Sequence, residues 1–154
     1  MRLFLFNFIL FLFFAFSSQA QEVLPDSTNT GDIPFNVVEH MPALGPCIDL
    51  TKEERLQCTQ LEIIKFVIEN TVYPAQDKQD GIDGTVYVYF VVNTKGVVEQ
   101  ARIVRSVSAG LDKEALRVVN ALPKFDPGMQ NGKKVAVQYT IPIKFVIQKK
   151  KKKK

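Results

Sequence analysis

His40, Cys47 and Cys58 are the residues of this sequence with the widest chemical range: nucleophile, general base, metal ligand or redox pair. Two sulfurs and one imidazole do not complete a tetrahedral metal site, which takes four ligands. Cys–His catalysis needs the base within about 3 Å of the thiol proton, and no third group stands out to orient the imidazole. Eleven positions separate the cysteines, far from the Cys-x-x-Cys spacing of redox enzymes. The other chemical signals are weaker. Glu53-Glu54 is a carboxylate pair, but it follows Thr51, where a helix cap accounts for it. No serine lies in a nucleophile elbow. Gly84, Gly96, Gly128 and Gly132 stand singly, so they answer to backbone geometry and not to a phosphate. The expectation is a non-enzymatic protein with no catalytic residue, metal or cofactor.

The N-terminus decides how the cysteines are read. Met1 and Arg2 precede an apolar run from Leu3 to Phe16, broken only by Asn7, and Ser18 and Ala20 supply the small residues of a signal-peptidase site. Cleavage after Ala20 is expected; the alternative is an uncleaved membrane anchor, for which the run is shorter than the roughly 20 apolar residues a span requires. In an exported chain Cys47 and Cys58 read as a disulfide, with separate buried thiols, an intermolecular bond or redox use as alternatives.

The formal charge of +4 belongs to one end of the chain. Taking Arg2 and the six lysines Lys149 to Lys154 from the 20 basic residues leaves 13 against 16 acidic ones, so the body is acidic by 3 charges. A run of like charges repels itself and reads as a solvated tail, or as a weak electrostatic contact to membrane or cell wall. The body offers no basic stripe with interleaved aromatics, so nucleic acid is not an expected partner.

The elements that must position any site follow from periodicity. Residues 21–50 carry Pro25, Gly31, Pro34, Pro42, Gly45 and Pro46 and read as an irregular arm, from which Ile33, Phe35, Val37 and Val38 could lie on the domain. Thr51-Lys52-Glu53-Glu54 is a capping box, and Leu56, Gln60, Ile63, Ile64, Val67 and Ile68 form a stripe at helical spacing that ends before Tyr73-Pro74. Val86, Val88, Phe90 and Val92 alternate with Thr85, Tyr87, Tyr89 and Val91; a turn at Asn93 to Gly96 returns a partner strand over 97–104. Leu111, Ala115, Leu116, Val118 and Val119 mark a second helix stopped by Pro123, followed by a turn-rich link to Gly132. Val135, Val137, Tyr139, Ile141, Ile143, Phe145 and Ile147 occupy alternate positions of a long last strand, and Pro142 puts that strand at an edge or a bulge. The fold class expected is α+β, a three-stranded antiparallel sheet with two helices packed on one face. The organisation expected is a signal peptide at 1–20, the arm at 21–50, the domain at 51–148 and the lysine tail at 149–154.

These segments resemble the TonB C-terminal domain family, in the form common in Bacteroidetes-type bacteria. The resemblance begins loosely at Pro46-Cys47 and Cys58. It strengthens at Tyr73-Pro74, Gly81 to Phe90, Asn93 to Gly96, Leu111 to Val119, Pro123, Pro127-Gly128, Asn131 to Lys133 and Ile141 to Phe145. It implies a periplasmic protein-binding module that recognises an extended segment of an outer-membrane TonB-dependent receptor, or of another exported protein, by β-strand addition beside the last strand. Carried onto this sequence, the docking edge is Val137, Gln138, Tyr139, Thr140, Ile141, Pro142, Ile143 and Lys144, with sequence preference from Gln138, Tyr139, Thr140 and Lys144. Exposed strand edges accept extended peptides on physical grounds as well, and they invite pairing between copies as a homodimer. The family's energy transducers carry an uncleaved membrane helix and a proline-rich spacer, neither of which is expected here. The alternatives are a soluble periplasmic scaffold or inhibitor-like protein on the same fold, and an inner-membrane-anchored transducer if the first segment is retained.

Overall fold

Alternation of buried and half-buried side chains makes Gly84–Val92 (β1) the centre of the sheet. Val86, Val88, Phe90 and Val92 are fully buried on one face, each worth about 1.5–3 kcal/mol of apolar burial. A computed structural model describes residues 34–147; the expected signal peptide, the first part of the expected arm and the expected lysine tail fall outside the described residues. Around β1 the element order is Lys52–Asn70 (α1), Ala75–Gln79 (α2), β1, Val98–Arg105 (β2), Ala109–Asn120 (α3), Gly128–Gln130 (β3), Lys133–Val135 (β4) and Val137–Phe145 (β5). The main sheet is antiparallel with order β2-β1-β5, and β3-β4 form a separate two-stranded hairpin.

The β1–β2 turn closes through Asn93, whose Oδ1 accepts from the amides of Lys95 at 2.9 Å and Val97 at 3.0 Å. Gly96 follows at φ +79°, and its carbonyl accepts from the Phe125 amide at 2.8 Å. A Cβ on Gly96 would lie 1.8 Å from the Phe125 carbonyl oxygen, so only glycine fits. Pairing of β1 with β2 shifts register twice, and Gln100 takes a positive φ there. Pairing of β1 with β5 runs without a shift from Gly84↔Phe145 to Val92↔Val137.

The long helices α1 and α3 cover the buried face. At the start of α1 the Glu54 carboxylate accepts from the Thr51 amide at 3.3 Å and from its hydroxyl at 2.8 Å. Ser108 caps α3, accepting from the Leu111 amide at 3.1 Å and donating to Asp77 at 2.6 Å, which ties α2 to α3. Leu111, Ala115, Val118 and Val119 of α3 join Ile63 and Val67 of α1 and the β1 side chains in one core. The C-terminus of α1 is tied to α3 by Glu114, which accepts from the Val72 amide at 2.6 Å and from Arg117 at 2.7 Å. Arg117 in turn donates to the Asn70 carbonyl. The Arg117 hydrogen bonds hold the Glu114 carboxyl below its ordinary range, against a smaller desolvation effect.

Three sequence readings change. The α1 stripe is rotated: Ile63 and Val67 are buried, but Ile64 and Ile68 are exposed, and Arg55 and Thr59 take the buried positions. The last strand does not begin at Val135; the chain breaks at Ala136, because Lys133–Val135 pairs back on β3. The short α2 follows Pro74, a segment too brief to carry a periodic signal. Tyr73-Pro74 forms a structural corner after α1: the Tyr73 hydroxyl donates to the Ile82 carbonyl at 2.6 Å and its ring meets Phe145 edge-on.

Residues 34–50 lie along the domain. Residues 40–43 run antiparallel to 126–129, exchanging backbone hydrogen bonds between His40 and Met129 and between Ala43 and Asp126. Val38 and Met41 form a second small cluster with Val137. The Cys47–Cys58 disulfide joins this stretch to α1 across a Cα–Cα distance of 5.7 Å. One turn away, buried Arg55 donates to the Met41 carbonyl at 2.8 Å, the Ile48 carbonyl at 2.5 Å and the Asp126 carboxylate at 2.5 Å. A buried guanidinium needs such partners, since an unpaired buried charge costs several kcal/mol.

Candidate functional site

Among the described residues β5 has one neighbour in the sheet, so its other side is an edge. Which backbone groups face outward follows from the arm. The Gln138 amide donates to the Phe35 carbonyl at 2.8 Å and the Phe35 amide donates to the Ala136 carbonyl at 2.9 Å, so even-numbered groups point away from β1. Because register with β1 is unbroken, strand alternation puts Thr140, Pro142 and Lys144 on the same side. The open edge therefore offers the Thr140 and Lys144 amides as donors and three carbonyls as acceptors. Pro142 contributes no donor, and it sits where its missing N–H disturbs no ladder bond. At the other end the edge is closed: Phe35 pairs parallel with Val137, and Asn36 bonds the Gln138 side chain.

The eight edge residues divide by face. Val137, Ile143 and, less completely, Tyr139 and Ile141 point toward the helices. Tyr139 stacks on Phe90 at 5.4 Å between ring centres, and burial pushes its phenol well above the ordinary range. Its side chain thus packs toward the core and also lines the groove between β5 and α1. Gln138, Thr140, Pro142 and Lys144 face the other way, beside Tyr87 and Tyr89 of β1, and Gln138 accepts from the Tyr89 hydroxyl at 3.1 Å. On this outer face the Arg102 guanidinium lies 3.8 Å from the centre of the Tyr89 ring and Arg105 lies 5.8 Å from that of Tyr87.

Between β5 and α1 runs a groove of ≈ 920 Å³. Ile64, Val67 and Ile68 line its helix side and Ile141, Ile143 and Val146 its strand side, with Tyr73 near the α1–α2 corner. Sequence periodicity places Ile64 and Ile68 in the core stripe; only the crossing of α1 over the sheet decides that they flank the edge instead. The sequence suggests that Phe35 lies on the domain but not where, and Arg55 carries no local signal, since their partners lie far along the chain.

Both sulfurs are consumed in the disulfide, and exposed His40 serves the arm through its backbone. Among the described residues no group of three or more His, Cys, Asp and Glu side chains is placed to hold a metal ion.

Protein TonB of Pseudomonas aeruginosa is 32% identical over 78 residues, 51% of this chain and 23% of that protein. The chain thus spans about a quarter of the length of the curated relative it matches. Among solved structures, the Helicobacter pylori TonB C-terminal domain is 24% identical, covering 56% of this chain and 91% of that one with a TM-score of 0.45. The Pseudomonas aeruginosa TonB C-terminal domain is 32% identical, covering 53% and 82% with a TM-score of 0.44. A family model described as Gram-negative bacterial TonB protein C-terminal matches residues 69–147. That match takes in the whole sheet, α2 and α3, and the chain belongs to the TonB C-terminal domain family.

Proposed function

We propose that this protein binds an extended segment of an outer-membrane TonB-dependent receptor by adding it as a strand to the open edge of β5, over Thr140 to Lys144. The observation that carries this reading is the edge itself: two outward amides and three outward carbonyls in an unbroken register beside a groove with an apolar wall. Main-chain hydrogen bonds would supply affinity and the flanking side chains specificity. Val137 and Gln138, held by the arm, would bound the docked segment, and the outward residues Thr140, Pro142 and Lys144 would touch it.

Export to the periplasm fits a disulfide-bonded domain, and among the described residues no helix is long and apolar enough to cross a membrane. Retention of the first segment as an inner-membrane anchor would make the same domain part of an energy transducer. Pairing between two β5 edges to form a homodimer is the competing use of the edge, and the lysine tail would add weak contact to membrane or cell wall. Titration calorimetry of the full chain with N-terminal peptides of co-encoded outer-membrane receptors tests the reading. Saturable one-to-one binding is expected; absence of binding by every such peptide would sink it and favour a scaffold on the same fold.

A further inference from the structure

We infer, on the basis of the edge-docking reading, that the docked segment is a two-faced strand: its alternate residues are apolar and fill the groove against Ile64 and Ile68, and the residues between them are polar. The first evidence is the helix. Ile64 and Ile68 lie one turn apart on α1 and are 53% and 72% exposed, although Ile63 and Val67 beside them are buried. Both isoleucines line the groove whose other wall is β5. A strand added to β5 in either direction alternates its side chains between the groove and the outer face. Every second residue would therefore meet Ile64, Ile68 and Ile141, and the intervening ones would lie level with Thr140, Pro142 and Lys144.

The second observation is independent, because the chain already does this to itself at the closed end. Phe35 is aligned in parallel with Val137, which puts its side chain on the inward face of β5 that Val137 shares with Ile141 and Ile143. Asn36, the next residue, bonds Gln138 on the outer face. This dipeptide is one repeat of the two-faced pattern, seated by one strand-type exchange of backbone hydrogen bonds. The docked segment would continue the row that Phe35 begins. The helix wall of the groove lies outside residues 69–147, so this preference is set by a part of the chain beyond the family match.

Two nine-residue peptides of equal composition test the idea on the full oxidised chain: one alternates valine with threonine, and the other groups the valines together. Calorimetry gives the affinities, and the amide resonances of Thr140 and Lys144 report where each peptide sits. The alternating peptide is expected to bind at those amides at least tenfold more tightly. The Ile64→Lys/Ile68→Lys variant, altered only at exposed positions, should lose that advantage while keeping its melting temperature. Equal binding of both peptides at the Thr140 and Lys144 amides would leave edge docking intact and overturn the two-faced preference, as would an unchanged advantage in the variant. If neither these peptides nor receptor peptides move the amides, the docking reading fails and this inference with it. A concentration-dependent dimer that protects the same amides would place a second copy in the groove and overturn the inference.

Discussion

The amide of Gln138 donates to the carbonyl of Phe35 across 103 positions of sequence, and this single bond marks where the open edge of β5 ends. On one side of it the strand is paired on both flanks, and on the other, among the described residues, Thr140 and Lys144 direct their amides to the unpaired side. A Phe35→Pro substitution removes the reciprocal donor to the Ala136 carbonyl. Exchange of the Gln138 amide should then accelerate at least tenfold, while the Tyr139 amide, directed at β1, keeps its protection. Equal acceleration at both residues would mean that the arm supports the whole strand and does not merely cap its end.

The disulfide closes a loop of about a dozen residues, for which chain-entropy arguments give about 3 kcal/mol of stabilisation. Reduction should lower the denaturant midpoint accordingly, and the Cys47→Ser/Cys58→Ser variant should match the reduced protein. An unchanged midpoint on reduction would show that Arg55 and the backbone bridges hold the arm unaided.

Gly96 has no room for a methyl group, since its Cβ would lie 1.8 Å from the Phe125 carbonyl oxygen. Gly96→Ala should cost about 2–4 kcal/mol, combining a positive φ with displacement of the link. Thermal unfolding measures this, and a loss below about 0.5 kcal/mol would show that the link yields freely.

Glu114 gives the acid side of the stability curve a definite sign. Its carboxyl is held below the ordinary value of 4.5 by Arg117 and the Val72 amide. Its contribution is therefore whole above that value and is lost as pH falls through the depressed folded one. Glu114→Gln should cost about 1 kcal/mol near neutrality. The difference from the parent should narrow as pH drops below 4.5. A gap independent of pH would exclude the ionic contribution.

The elements that make the edge are legible in the sequence where their signals are local. Alternation from Val137 to Phe145 fixes the faces of β5, and Pro142 argues for an edge because it cannot donate. The capping box at Thr51 and the corner at Tyr73-Pro74 are equally local. The groove is not. Helical spacing groups Ile63, Ile64, Val67 and Ile68 together, yet the stripe is wider than the surface that α3 and the sheet cover, and what remains depends on packing geometry. Buried Arg55 breaks the usual pattern because its partners come from the arm and from Asp126, 71 positions away. The closing of the edge by Phe35 is likewise a contact between distant segments, invisible to any window of sequence.

The most direct test of the account is the hydrogen exchange of two amides in the complex with a receptor N-terminal peptide. Thr140 and Lys144 should each become protected by at least tenfold, with Tyr139, Ile141 and Ile143, already bonded to β1, little changed. Binding that leaves the Thr140 and Lys144 amides exchanging as in the free protein would contradict strand addition at β5.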